Sequence, residues 1–306
     1  MRVCVVGCGA VGSLFAANLA RLEDVEVWVY DVWREHVDAI NAGGLRLSGA
    51  GEVVGRPHAT AEPAELPACE FGIVATKSMH TGSAVAAVAG ALKNASVCSV
   101  QNGVGNEEAI AEHVGLVIRG TTFPAGKILE PAHVQWDVKG DTTIGPFEPR
   151  PAPMAEIERL ADACTRAGLP TEAVADARGR QWGKLIFNAA TNPIGALTGL
   201  THGRVCEDPG LRGLVSALVD EGKAVAAAQG IDLDADPEEL IDYAARPDVA
   251  YEHKASMLQD VEARRESEID FLNGGIVRFG AETGVPTPLN EAIVALIKGM
   301  EASWRQ

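Results

Sequence analysis

The sequence predicts an α/β protein in which a doubly wound parallel sheet is followed by an all-α region. Two observations support this fold class. Short apolar runs, each long enough for a buried strand, alternate with helical patterns in the first half of the 306-residue chain. From about residue 176 the hydrophobic periodicity is helical almost throughout. We therefore predict two domains, formed by residues 1–175 and residues 176–306.

The first predicted unit is a strand, a glycine-rich turn and a helix. Residues 2–6 form an apolar run that is too short for a helix. The turn that follows consists of Gly7, Cys8, Gly9, Ala10, Val11 and Gly12. In a dinucleotide-binding turn the first glycine permits the tight turn, the second admits a pyrophosphate, and the third allows close helix packing. The pattern predicts a Rossmann-type site with the anion at the helix start, and a plain tight turn is the alternative.

Asp31 directly follows the second predicted strand, which consists of residues 25–30. A carboxylate at this place can bind both ribose hydroxyls of an adenosine, although an acid there can also cap the next helix. A 2′-phosphate at about 4 Å would be repelled by up to a few kcal/mol, which favours NAD over NADP. Arg34 opposes this preference because its side chain could reach a phosphate.

The rest of the first half continues the alternation. We expect a helix through residues 36–42 that ends at Gly43-Gly44, strands at 71–76 and 96–100, an alanine-rich helix at 82–92, an antiparallel hairpin at the sheet edge within 120–145, and a helix at 154–167. The tripeptides Thr76-Lys77-Ser78 and Gln101-Asn102-Gly103 follow two of these strands. Ligands of parallel sheets bind at such carboxyl ends, so both tripeptides are candidate site residues.

A helix predicted over residues 181–193 carries the most informative polar pattern of the second half. Lys184, Asn188 and Asn192 recur every four residues, so they fall within about 80° of one another on one face. An ammonium and two carboxamides make an unusual face to bury unless a small polar molecule lies on it. A solvated helix face is the alternative.

Two later segments combine helix-start signals with polar residues. Ser256 begins a Ser-x-x-Gln pattern, so it either caps a helix or binds a ligand. Ser267 and Glu268 begin another capping signature, and Glu268 is either a first-turn acid or a functional residue. Gly274 and Gly275 in the following helix would each cost roughly 1 kcal/mol relative to alanine. They indicate a close contact with a helix or a substrate.

Composition limits the partners. The 42 acidic and 26 basic residues give a net charge of −16, which argues against nucleic acid or an anionic membrane surface. The six cysteines show neither a CxxC pair nor metal-ligand spacing, so we expect no metal site and, with Cys4 and Cys98 as buried hydrophobes, reduced thiols in a cytoplasmic protein. A strand that begins at residue 2 leaves no room for a signal peptide, and no apolar run is long enough for a membrane span.

Taken together, these blocks resemble the ketopantoate reductase family. The matching segments, in chain order, are GCGAVG at 7–12, Lys77, QNGVGN at 101–106, WGKLIFNAATNP at 182–193, SMLQD at 256–260 and SEIDFLNG at 267–274. The resemblance implies a reductase that passes a hydride from NAD or NADP to the ketone of a small-molecule 2-oxo acid, with 2-dehydropantoate as the leading substrate. By analogy it also allows a homodimer.

The resemblance implies a role for each polar residue. Lys184 is the general acid and Glu268 pairs with it. Asn102, Asn188, Asn192 and Ser256 hold the substrate, while Lys77 and Asn102 lie where cofactor and substrate meet. The roles are physically reasonable because a cation beside the ketone stabilises the developing alkoxide and can donate a proton. Burial lowers the pKa of Lys184 and Glu268 raises it, and the sequence leaves that balance open.

Three positions depart from the family's common pattern. His80 replaces a frequent glutamine, His253 replaces a substrate-binding asparagine of some members, and Asp31 stands near a position that is often basic in enzymes that use NADP. These differences leave an NAD-dependent D-2-hydroxy acid dehydrogenase, acting on other branched or aromatic 2-oxo acids, as an alternative. A non-catalytic dinucleotide sensor is disfavoured, because it would not need a proton donor beside a nicotinamide.

Overall fold

The structure is a computed structural model, and it describes residues 1–305. The chain divides into two compact units. Unit 1 comprises Met1–Gln101 and Asn106–Ala177, and unit 2 comprises Asn102–Gly105 together with the chain from Arg178 onward. Each unit has its own apolar core.

Unit 1 contains strands and helices in alternation. Its strands are β1 (Arg2–Val6), β2 (Glu26–Tyr30), β3 (Leu45–Gly49), β4 (Val53–Gly55), β5 (His58–Thr60), β6 (Phe71–Val74), β7 (Ser96–Ser99), β8 (Leu116–Thr122), β9 (Ala125–Glu130), β10 (His133–Val138), β11 (Thr142–Pro146) and β12 (Thr171–Ala173). Its helices are α1 (Ala10–Leu19), α2 (Arg34–Gly43), α3 (Thr81–Val88), α4 (Asn106–Ala111) and α5 (Met154–Arg166).

The large sheet of unit 1 has eight strands in the order β12-β11-β8-β7-β6-β1-β2-β5. The six strands from β8 to β5 are parallel, whereas β11 is antiparallel to β8 and parallel to β12. Along β1, Val3 and Val5 belong to one core cluster with α1 and α5, while Cys4 and Val6 belong to another with α3 and α4. Helices therefore cover both faces, which confirms the predicted fold class.

A second sheet of four strands has the order β4-β3-β10-β9. The antiparallel pairing predicted within residues 120–145 is divided between the two sheets: β8 pairs with β11 near the edge of the large sheet, whereas the hairpin of β9 and β10 does not belong to that sheet. Strand β10 instead pairs in parallel with β3, and this small sheet packs against α1. The reason is that α1 is apolar on nearly every face, so it is covered by a sheet on each side.

Several boundaries differ from the expectations. Helix α3 ends at Val88 rather than near residue 92, and the strands between residues 45 and 60 were not predicted. Those strands are only three to five residues long, so they carry little periodicity of their own. Cys4 and Cys98 are fully buried as expected, and all six cysteines are free thiols.

Unit 2 is helical. Its helices are α6 (Arg178–Thr198), α7 (His202–Glu207), α8 (Pro209–Ala228), α9 (Pro237–Ala244), α10 (Ser256–Glu262), α11 (Asn273–Thr283) and α12 (Pro288–Ser303). Helix α6 is central, because it packs against α7, α8, α9, α10 and α12. Among the described residues, no helix is both long enough and apolar enough to cross a membrane.

Candidate functional site

The glycine turn between β1 and α1 is open to a ligand at one position. Gly7 has a φ of +88°, and a Cβ there would lie 2.6 Å from Cγ2 of Thr76. A Cβ on Gly12 would lie 2.0 Å from the Gly7 carbonyl oxygen. A Cβ on Gly9, in contrast, would meet nothing within 4 Å. Packing explains the first and third glycines, whereas the space beside Gly9 is free for a bound group.

The start of α1 supplies donors to that space. Gly9 is the N-cap residue and has no side chain with which to bond the first-turn N–H groups. Ala10 and Val11, which begin the helix, are only half-buried. Backbone N–H groups at the start of a ten-residue helix attract an anion. The turn therefore fits the pyrophosphate of a dinucleotide, as the glycine pattern predicts.

Asp31 is held firmly by the backbone on both sides. Its Oδ2 accepts the Cys8 N–H at 2.6 Å, and its Oδ1 accepts the Trp33 N–H at 2.9 Å. Asp31 does not cap α2, whose cap residue is Trp33 without a side-chain bond, but it has a structural role in tying the loop to the glycine turn, and the Cys8 N–H is already engaged. A carboxylate keeps further lone pairs, so ribose hydroxyls can still bind. Arg34, which could have reached a phosphate, forms an exposed ion pair with Glu62.

The Cys8 thiol does not take part in chemistry at this turn. It is buried, and burial raises its pKa to about 12. A thiol with so high a pKa is protonated near neutral pH and is a poor nucleophile. Its neighbour Ser13 donates a hydrogen bond back to the Cys8 carbonyl at 3.1 Å. Cys8 therefore contributes to the shape of the turn and not to reactivity.

The ends of β6 and β7 are tied together beside the glycine turn. Gln101 Nε2 donates to the Thr76 carbonyl at 2.9 Å and to Thr81 Oγ1 at 2.7 Å. Thr76 is the residue against which Gly7 packs, so its neighbour Lys77 lies close to the glycine turn. The sequence predicted both tripeptides as candidate site residues, but it did not predict that Gln101 connects the two strand ends. A buried amide that bonds across two strands has no recognisable sequence signal.

Unit 2 brings Lys184 and Asn102 together. Lys184 Nζ donates to Asn102 Oδ1 at 2.9 Å. Burial lowers the pKa of Lys184 from 10.5 to about 8, although the carboxylate of Glu268 acts in the opposite direction. Desolvation therefore dominates the balance that the sequence left open. An amine with a pKa near 8 can exchange protons readily close to neutral pH.

Asn102 reaches Lys184 because the segment of residues 102–105 is clamped within unit 2. Gly103 has a φ of +83°, and a Cβ there would lie 2.4 Å from the Phe271 carbonyl oxygen. The Val104 N–H donates to that same carbonyl at 3.0 Å. A Cβ on Gly275 would lie 2.5 Å from Cγ2 of Val104, so this glycine does make a close contact, but with the loop of residues 102–105 and not with the helix or substrate that the sequence predicts. Gly103 and Gly275 therefore each allow one close approach between residues 102–105 and the segment that includes Phe271 and the start of α11.

Asn188, Asn192 and Glu268 are all buried polar residues. Asn188 and Asn192 lie on α6 beyond Lys184, so the polar face is not the solvated face of the alternative reading. Within residues 1–305 the structure records no hydrogen-bond partner for the Asn188 carboxamide. Its polar atoms are not fully buried, so they remain accessible to a small polar ligand.

Neither Ser256 nor Ser267 caps the helix that follows it. Helix α10 begins at Ser256 itself, and the cap position falls on Ala255 without a side-chain bond. The Ser256 side chain is exposed instead. Ser267 does not begin α11, because its hydroxyl donates to Glu301 Oε1 at 2.7 Å, and residues 268–272 form a turn before the helix. A distant carboxylate on α12 thus outcompetes the local capping geometry.

Comparisons with known proteins agree with these features. The family model described as "Ketopantoate reductase PanE/ApbA" matches residues 3–149, and the model of the family's C-terminal part matches residues 176–301. The chain is 34% identical to a 2-dehydropantoate 2-reductase of Pyrococcus horikoshii, over 99% of this chain and 98% of that protein. It is 33% identical to one of Archaeoglobus fulgidus, over 98% of each.

Solved structures with the same fold include two kinds of enzyme. A PanE/ApbA family ketopantoate reductase from Ralstonia eutropha has a TM-score of 0.90 at 32% identity, with both chains fully covered. A D-mandelate dehydrogenase, solved with NADH and anilino(oxo)acetate, has a TM-score of 0.90 at 25% identity, again with both chains covered in full. The sequence matches cover most of the chain, and the resemblance inferred from its motifs is confirmed: the chain belongs to the ketopantoate reductase PanE/ApbA family.

Proposed function

We propose that this protein is an oxidoreductase that converts 2-dehydropantoate (ketopantoate) to pantoate with a nicotinamide dinucleotide. The observation that carries the proposal is the Lys184 ammonium, which is bound to Asn102 and has a pKa of about 8. It lies on a helix face with two buried carboxamides in a chain of the ketopantoate reductase family. That combination suits reduction of a ketone that carries a neighbouring carboxylate.

In the proposed reaction Lys184 donates the proton. When bound, a reduced nicotinamide supplies a hydride to the ketone carbon. The C=O π electrons move to oxygen, which takes a proton from Lys184 Nζ and becomes the hydroxyl. The ammonium stabilises the negative charge on that oxygen before the proton is transferred. Lys184 is left as a neutral amine and regains a proton from solvent.

The neighbouring side chains would hold the substrate and the lysine. We assign Glu268 to pairing with Lys184, because its carboxylate raises the pKa of that lysine and so retains the proton until it is needed. Asn188, Asn192 and Ser256 would bind the carboxylate and hydroxyl groups of the 2-oxo acid. Asn102 would orient Lys184 through the bond between them and, with Lys77, would lie beside the nicotinamide. Carboxamides suit this task because each has both donors and acceptors.

The proposed cofactor is NAD. Asp31 is fixed by two backbone N–H groups, so it cannot turn away from a 2′-phosphate without losing both bonds. Arg34, the nearest alternative phosphate ligand in sequence, is paired with Glu62. Its release would cost little, because exposed ion pairs contribute roughly 0–1 kcal/mol. We therefore base the cofactor assignment on the fixed negative charge of Asp31, whereas Arg34 could still be released toward a phosphate at little cost.

The deciding experiment measures initial rates of the purified protein with ketopantoate, using NADH and NADPH in parallel and 2-oxoisovalerate as the comparison substrate. We expect kcat/KM to be highest for ketopantoate with NADH. A preference for NADPH would contradict the cofactor assignment alone. Turnover of neither acid with either cofactor would contradict the proposed function.

A second candidate is an NAD-dependent D-2-hydroxy acid dehydrogenase that acts on other branched or aromatic 2-oxo acids. The similarity to D-mandelate dehydrogenase and the presence of Asp31 favour it. The higher identity to the 2-dehydropantoate 2-reductases favours the first candidate. The same rate measurements separate them, because specificity is a ratio of kcat/KM values.

The proposal also assigns a role to each domain, a cellular location and an oligomeric state. Residues 1–175 would bind the dinucleotide, and residues 176–306 would bind the substrate and supply the catalytic groups. We further propose a cytoplasmic protein and a homodimer. Light scattering after size-exclusion chromatography checks the latter: a mass near 64 kDa, twice the chain's 32.0 kDa, supports it, and a mass near 32 kDa refutes it.

A further inference from the structure

A proline interrupts the hydrogen bonding of α6 next to the polar face. Pro193 lies inside the helix and has no N–H, so the carbonyl of Ala189, four residues earlier, has no intrahelical donor. Ala189 is buried, so water does not readily replace the missing donor. The affected turn runs from Ala189 to Pro193. Asn188 directly precedes this turn, and Asn192 lies within it.

Asn273 supplies the missing donor. It is the first residue of α11 and is fully buried. Its Nδ2 donates to the Ala189 carbonyl at 2.9 Å and to Asn290 Oδ1 at 2.9 Å. Both amide hydrogens are thus engaged. Within the described residues Asn273 Oδ1 has no hydrogen-bond partner. The side chain therefore donates to two acceptors while its own buried oxygen accepts no bond.

The orientation of Asn273 is set by a carboxylate on α8. Glu221 accepts the backbone N–H groups of Leu289 and Asn290, at 2.9 and 3.0 Å, at the start of α12. It also accepts Asn290 Nδ2 at 2.7 Å. Because a carboxylate only accepts, the Asn290 oxygen must face Asn273, and Asn273 must present its amide nitrogen. The two asparagines therefore have one hydrogen-bonded orientation.

We propose that Asn273 is a positioning residue, which replaces the N–H that Pro193 lacks and thereby fixes the turn of α6 that presents Asn188 and Asn192. Glu221 and Asn290 keep its amide nitrogen directed at Ala189. The substrate-related part of this inference rests on the proposed function, whereas the effect on α6 does not. The inference also gives a reason for Pro193 in the NAATNP segment and for Asn273 in the DFLNG segment. The catalytic roles gave none for either residue.

The test compares Asn273→Leu, Pro193→Ala and the double variant. Asn273→Leu removes the donor with little change in size, and we expect KM for ketopantoate to rise about tenfold, with KM for the dinucleotide unchanged. Pro193→Ala restores the backbone N–H, so the double variant should recover most of the loss. Hydrogen exchange of the peptide spanning residues 186–198, without substrate, should be faster in Asn273→Leu and return toward wild type in the double variant.

Asn18→Leu is the matched control. Asn18 is also a buried asparagine that donates to a helix carbonyl, that of Leu14 at 2.8 Å, but it lies on α1 in unit 1. It should lower Tm without changing KM for ketopantoate or exchange in α6.

The outcomes separate the claims. If Asn273→Leu lowers Tm as Asn18→Leu does but leaves α6 exchange unchanged, Asn273 is only a packing residue and the proposal fails. If exchange changes as expected but no 2-oxo acid is turned over by the wild type, the proposed function fails and the effect on α6 stands. If Asn273→Leu does not fold, a folded double variant supports the proposal. If neither folds, Glu221→Gln is measured, and unchanged α6 exchange in that variant refutes it.

Discussion

At the scale of the residue, the proposed chemistry depends on the environment of one ammonium group. Lys184 is more acidic than an ordinary lysine because burial disfavours its charged form. The carboxylate of Glu268 limits that effect but does not reverse it. The hydrogen bond to Asn102 directs one of its protons. These three influences give a cation that can still release a proton near neutral pH.

The pKa of Lys184 predicts the pH dependence of ketone reduction. The protonated form is the donor, so the single-turnover rate should fall as the pH rises through about 8. An ordinary lysine would keep its proton until near pH 10.5. Glu268→Gln removes the influence that raises the pKa, so the fall should move to lower pH. A pH profile measured with saturating dinucleotide checks both statements, and an unchanged midpoint in Glu268→Gln would refute the assigned pairing.

At the scale of the element, the loop after β2 carries the charges on which the proposed cofactor preference rests. Asp31 is rigidly held there, and Arg34 is occupied by Glu62. The proposed preference for NAD thus depends on a fixed negative charge and on a positive charge that is neutralised by a neighbour.

Releasing Arg34 should improve the use of NADPH. In Glu62→Gln the guanidinium loses its charged partner and can turn to a 2′-phosphate, so we expect kcat/KM for NADPH to rise several-fold, within the roughly 1 kcal/mol of an exposed pair. The value for NADH should change little. Glu35→Gln is the control, because it removes one exposed negative charge from α2 without freeing Arg34. An equal gain in both variants would mean that only the net charge matters.

The segment of residues 102–105 is the second element on which the site depends. Gly103→Ala would place a methyl group 2.4 Å from the Phe271 carbonyl and force alanine to a φ of +83°. The left-handed backbone alone costs roughly 1–2 kcal/mol, so we expect lower unfolding free energy in urea and a lower kcat, because Asn102 is displaced.

Gly213→Ala is the matched control in the same unit. Gly213 lies inside α8, and a Cβ there would meet nothing within 4 Å. Removing a glycine from a helix interior should stabilise the protein by roughly 0.5–1 kcal/mol without affecting kcat. If Gly103→Ala behaves in the same way, the clamp on residues 102–105 is unimportant.

At the scale of the whole molecule, the proposed anionic ligands would be bound by local features against an unfavourable net charge. The chain carries −16, yet the proposed ligands are a dinucleotide and a 2-oxo acid, both negatively charged. The helix start after Gly9 and the Lys184 ammonium supply the local positive potential. Because these features belong to different units, binding of the cofactor and proton donation should be separable by mutation.

Lys184→Met tests that separation. We expect turnover to fall by roughly 10²- to 10⁴-fold, the usual contribution of a positioned acid. NADH at a hundred times its Kd should still stabilise the variant by about 2.7 kcal/mol, as it does the wild type. Thermal unfolding with and without NADH gives this difference. Loss of the NADH effect together with turnover would show that Lys184 acts on the cofactor, and retained turnover would exclude it as the acid.

Much of the fold and the site could be predicted because the signals are local. The glycine turn, the strand that ends at Asp31 and the i, i+4 pattern of Lys184, Asn188 and Asn192 depend only on backbone geometry over a few residues. The second sheet could not be predicted, because β3 and β10 are separated by more than eighty residues and each is short. The capping assignment of Ser267 failed for the same reason, since Ser267 is bonded to Glu301 on a distant helix.

The sequence by itself determined the fold class, the family and the identity of the polar residues. Periodicity, glycine spacing and residue chemistry are properties of neighbouring positions. Only the tertiary structure decided the bond between Lys184 and Asn102, the acidity of that lysine, and the replacement of the Pro193 N–H by Asn273. Each depends on burial and on partners that are remote in the chain. Desolvation and hydrogen-bond satisfaction arise only when the segments are packed together.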